Sequence, residues 1–180
     1  KGSDDEVLTL ASGVPSWAAA AGGGAWNLLS TQTASGATDI DFVHGSGDID
    51  LTTYKMYKIT GVDIDSSDDD VDLSIRYSDD TGVSYETTNY ENMIPFLIYA
   101  NSNWSSALNS TTDALRLETL GNNTGETCSF EFTFSNPAGA LWKAAWYRGV
   151  LISQDGATRE LPGTSMWKST ADVDAIRFTI

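Results

Sequence analysis

Residues 54–90 read YKMYKITGVDIDSSDDDVDLSIRYSDDTGVSYETTNY, and the alternation inside this stretch decides the fold class. Val71, Leu73, Ile75 and Tyr77 are interleaved with Asp72, Ser74, Arg76 and Ser78, the period of a strand with one buried and one wet face. Upstream, Tyr57, Ile59, Val62 and Ile64 keep this rhythm except at Gly61, where the phase slips by one residue as at a β-bulge. The joining residues SSDDD, from Ser66 to Asp70, are small and acidic, so the two strands are expected to pair as a hairpin across a solvated turn.

The same rhythm spreads outward along the chain. Ile40 and Phe42 stand between Asp39 and Asp41; Leu115 and Leu117 oppose Arg116 and Glu118; Cys128, Phe130, Phe132 and Phe134 share one face; Ile176, Phe178 and Ile180 alternate with Arg177 and Thr179. WNLLSTQT from Trp26 and FLIYA from Phe96 read as further strands, and NSNWSSALN as a loop. Trp142, Ala144 and Trp146 lie on one face before Gly149, and most aromatic residues fall at core phase. Turn signals recur at Thr81–Gly82, GNNTGE and QDGATRE, while Pro95 argues against a helix through the apolar run around it. About eight or nine strands with no long helix predict an all-β antiparallel sandwich, with a jelly roll as the expected topology.

Residues 1–24, rich in alanine and glycine, read as a connector ahead of a sandwich domain at 25–180, and EVLTLASGVPSW within it as a short hairpin with Ser12 and Gly13 at its tip. A chain that begins at Lys1 reads as a fragment or as a processed protein.

The 180 residues carry 25 acidic against 10 basic side chains, a formal net charge of -15, which repels phosphate backbones and anionic membrane surfaces. Nucleic acid is therefore not an expected partner. Membrane insertion is not expected either, because no apolar run reaches the length of a spanning helix. A single cysteine, Cys128, excludes an internal disulfide and cysteine-pair zinc sites, and its apolar neighbours predict a buried thiol.

Three groups of residues bear on chemistry. The acidic run could hold calcium through Asp63, Asp65 and Asp68, but it lacks the glycine and bidentate glutamate of an EF-hand loop, and a solvated turn is the favoured reading. No other cofactor is expected. His44, the sole histidine, has no GxSxG elbow to serve, so no enzyme activity is expected. Trp104, with Tyr99 and Asn103 near it, is the best-placed candidate for stacking on a glycan, although a packed loop anchor is the commoner role for such a tryptophan.

The order of residues in the opening stretch resembles a module of tailed-bacteriophage virion proteins, found in tail fibres, spikes and virion-surface proteins. The resemblance rests on Tyr54, Tyr57, Ile59, Gly61 and Val62, then Leu73, Ile75, Arg76, Ser78, Asp80, Gly82 and the closing Tyr90. EVLTLASGVPSW is similar to the connector that such fibres place before a C-terminal domain, and DAIRFTI to their terminal strand. What it implies is a virion structural protein, a homotrimer displayed on a fibre, spike, head fibre or capsid and contacting other virion proteins and a host-surface glycan or receptor. No catalytic residue comes with it.

Overall fold

The computed structural model describes residues 6–11, 14–19, 26–98, 103–153 and 155–180. The chain divides into two compact units, residues 1–31 and 32–180. In the first, β1 (Glu6–Ala11) and β2 (Val14–Ala19) form an antiparallel hairpin running from the Glu6–Ala19 pair to the Ala11–Val14 pair. The expected tip residues Ser12 and Gly13 lie outside the described residues.

The second unit is a sandwich of two antiparallel sheets, and no helix occurs among the described residues. Its strands are β3 (Asp39–Val43), β4 (Met56–Ile64), β5 (Val71–Ser78), β6 (Tyr90–Ile98), β7 (Asn103–Thr112) and β8 (Leu115–Leu120). They continue with β9 (Cys128–Ser135), β10 (Lys143–Ile152), β11 (Thr158–Glu160), β12 (Gly163–Trp167) and β13 (Ala175–Thr179). The smaller sheet has the order β3-β13-β5-β8. The larger runs β4-β9-β10-β12-β6-β7, with short β11 continuing β12 between β10 and β6. Pro162, which has no N–H to give a ladder, sits at the break between β11 and β12.

The opening stretch corrects one expectation. β4 and β5 are strands, but they do not form a hairpin: β4 pairs with β9 in the larger sheet, and β5 lies between β13 and β8 in the smaller. The acidic turn therefore carries the chain from one sheet to the other. The slip expected at Gly61 is present as a register shift between Gly61 and Ile64, with Asp63 at a φ of 52°. The loop around Thr81 and Gly82 is likewise a crossing between sheets rather than a hairpin end, because β5 and β6 lie in different sheets.

Other boundaries also differ. Residues 27–34 hold no strand, whereas the strand β7, Asn103–Thr112, takes in most of NSNWSSALN, expected as a loop. Polar Ser, Asn and Thr residues hide β7 from a reading by apolar alternation.

The core is a continuous path of aromatic rings. Phe42 meets Phe178 edge-on at 6.2 Å between centroids, and Phe178 meets Phe130 at 5.6 Å and Phe132 at 6.1 Å. Phe132 reaches Phe134, which stacks on Tyr57 at 5.4 Å and touches Tyr77, itself in contact with Tyr90 and Trp167. These rings come from both sheets, so the path is what joins the layers. Each ring removes about 150–250 Å² from water, a gross gain on the order of 4–6 kcal/mol before entropy is counted. Cys128 is fully buried beside them, as its neighbours predicted.

Candidate functional site

Most of the residues that carry the sequence motif serve the fold, while Tyr54 and Val62 stay exposed. Tyr57, Leu73, Ile75, Tyr77 and Tyr90 are buried. Tyr90 also ties the layers together, because its hydroxyl oxygen accepts the Tyr77 backbone N–H at 2.8 Å across the two sheets. Burial pushes its phenol pKa up. Arg76 pins the turn before β8, donating from Nε to the Asp113 carbonyl at 3.1 Å and from Nη2 to the Asp113 carboxylate at 2.9 Å.

Ser78, Asp80 and Gly82 form a closed knot. The Ser78 hydroxyl donates to Asp80 at 2.7 Å and accepts the Gly82 N–H at 2.9 Å, while Asp80 accepts the Ser84 hydroxyl at 2.6 Å and its N–H at 2.9 Å. The Ser84 hydroxyl is the largest cause holding the Asp80 carboxyl down at about 2. Gly82 sits at a φ of 79°, which a side chain would strain.

Asp63, Asp65 and Asp68 stay at the surface, and among the described residues no group of three or more His, Cys, Asp or Glu side chains converges as a metal ion requires. Asp72 pairs instead with Arg116 and accepts the Thr119 hydroxyl at 3.0 Å. His44 has a structural contact: its Nδ1 accepts the Leu51 N–H at 3.2 Å. Of the glycan candidates, Tyr99 lies outside the described residues, and Asn103 and Trp104 lie on β7 with side chains outside the description.

The two outer faces of the sandwich differ in chemistry. On the smaller sheet, Arg177 forks onto Asp41 at 2.8 and 2.7 Å, reaches Asp39 at 3.2 Å, and lies 4.0 Å over the Tyr85 ring. Next to it across the β13–β5 ladder is Arg76, held by Asp113. This face is an ion-paired ladder in which opposite charges offset the like-charged cross-strand neighbours.

The outer face of the larger sheet exposes large apolar side chains among short polar and ion-paired ones. Cross-strand register places Lys58, Thr133, Trp146, Thr164 and Met93 in one row, and Met56, Ser135, Ala144, Met166 and Glu91 in the next. Trp142 and Trp146 are 53 % and 43 % exposed, Met56 and Met93 44 % and 49 %, and Val150 50 %. All three methionines of the chain thus lie on one face. Charged groups on this face are paired with one another: Lys58 and Arg148 meet Glu131 at 3.1 and 2.7 Å, with Arg148 standing between Trp146 and Val150 on β10, and Lys168 meets Glu91 while lying 5.6 Å over the Trp142 ring.

The expectation that most aromatics are core residues fails for tryptophan. Of the five whose side chains are described, Trp17, Trp26, Trp142 and Trp146 are exposed and only Trp167 is buried. Arg148 was the signal that sequence reading missed: it shares the phase of Trp146, whereas Ala145, Tyr147 and Leu151 share the opposite, buried phase. Comparison with protein-family models, curated proteins and solved structures found no match.

Proposed function

We propose that this chain is a structural module of a tailed-bacteriophage virion, an outward-facing tail fibre or spike domain that works by surface contact in host recognition. The observation that carries the proposal is the difference between the two outer faces: one is closed by internal ion pairs, and the other offers Trp142, Trp146 and three methionines. Methionine and aromatic residues concentrate at protein interfaces. The resemblance of residues 54–90 to virion modules also supports it. In this reading the chain is located in the virion, is not an enzyme, assembles as a homotrimer with other virion proteins, and meets a host glycan or receptor.

The strand orders support a jelly-roll reading of the sandwich. In a jelly roll of eight strands lettered B to I, the sheets are ordered B-I-D-G and C-H-E-F. Taking β3 to β9 as B to H and β13 as I reproduces both orders, with β10 and β11–β12 as an inserted hairpin between H and E.

Antibodies raised against the purified chain and applied to intact particles test the proposal. Label at the tail tip is expected. Label on the head would instead support a head fibre or capsid decoration protein, and absence from particles would refute both. A carbohydrate-binding module is the second reading, favoured by the two exposed indoles of Trp142 and Trp146. Glycan-array binding lost in Trp146→Ala would support it.

A further inference from the structure

We propose that the outer face of the larger sheet is where copies of this chain meet, each burying Trp146, Met93, Met166 and Met56 against another copy. The inference rests on reading this face as a contact surface, and it names the occupant.

Charge argues for a second copy. The chain carries -15, so two copies repel unless they meet where the excess is absent. Among the described side chains of this face, Lys58, Arg148 and Lys168 stand against Glu91, Glu131 and Glu160, three basic against three acidic, so the face is formally neutral. The ion pairs on it already satisfy most of these groups internally. A strongly acidic or basic partner would find no opposing field here, whereas an identical neutral face is compatible with itself.

Size argues the same way. The five strands from β4 to β6 span roughly 24 Å at about 4.8 Å each, and Trp142 to Val150 spans about 27 Å along β10. That is roughly 650 Å² per copy, or about 1,300 Å² for a pair, inside the range of stable interfaces at about 1,200–2,000 Å². The shape also suits a layer contact. Ala144 leaves a notch between Trp142 and Trp146, and sheet faces pack about 10 Å apart when the side chains of one enter the gaps of the other.

Sedimentation of the full chain over a wide concentration range, at low and high salt, tests the proposal. The expected result is a species of two or three times the monomer mass that strengthens as salt screens the net charge. Trp146→Glu and, separately, Met93→Glu are expected to weaken association by about 30-fold or more, the effect of losing a central contact. Val83→Glu adds the same charge at an exposed site in the loop after β5 and should leave association unchanged. A chain that remains monomeric throughout, association indifferent to both substitutions on the face, or association that weakens with salt would overturn the proposal. So would a monomer whose face is instead protected by an added glycan or a different protein. Particle labelling is read independently, so failure of self-association and failure of the virion reading can be told apart.

Discussion

At Tyr77 the sequence pattern and the structure agree on burial, and the structure adds a detail that no pattern encodes. Its hydroxyl is enclosed without a hydrogen-bond partner, and burial raises its pKa well above that of an ordinary phenol. An unpaired buried hydroxyl is costly, so Tyr77→Phe is expected to stabilise the chain by up to about 1 kcal/mol in denaturant unfolding. A loss would mean that the hydroxyl has a role in the fold. Asp41 gives the opposite case. Its hydrogen bonds to the Arg177 guanidinium are the largest cause holding its carboxyl below the ordinary range. A depressed carboxylate contributes stability that is complete above the unfolded value near ~4 and is lost as pH falls through the folded value. Asp41→Asn should therefore lower stability at neutral pH by about 1 kcal/mol or less, the pair being part-solvated, and should flatten the decline in acid. Unfolding curves from neutral pH downward check both. At this scale the sequence was readable wherever the side chain was plainly apolar or plainly charged, as at Phe132 and Asp41. It was misleading at Trp146, because a tryptophan counts as apolar whichever face it occupies.

Among the elements, alternation identified β5, β8, β9 and β13 with their buried residues, because a strand with one wet face prints that face every second residue. Pairing was not printed. β4 and β5 are adjacent in sequence and share a rhythm, yet belong to different sheets, since alternation specifies a face and says nothing of the neighbour across the ladder. What sets the partners is packing that only the folded chain shows. Phe130 on β9 faces Gly61 on β4 and Gly149 on β10 as cross-strand partners, its ring lying against Gly61 and its Cα and Cβ against Gly149. A Cβ at Gly149 would stand 2.5 Å from the Ser129 carbonyl oxygen and 2.8 Å from the Phe130 Cβ, and backbone cannot move aside cheaply. Gly149→Ala is thus expected to destabilise by about 1–3 kcal/mol through overpacking. Denaturant midpoints measure this, and an unchanged midpoint would show that the β9–β10 ladder yields more easily than its geometry indicates.

Over the whole molecule, the sandwich class was legible from the spacing of strands and turns, whereas the difference between its outer faces was not. That difference depends on which strands lie side by side: Met56, Met93 and Met166 are far apart in sequence and gather only because β4, β6 and β12 join one sheet. The central claim is that this gathered face is a contact surface. Methionine oxidation by peroxide, read residue by residue in a mass spectrometer, measures it in the dilute isolated chain and in the purified particle. All three methionines are expected to oxidise readily in the first and to be protected together in the second; equal oxidation in both states would contradict the account.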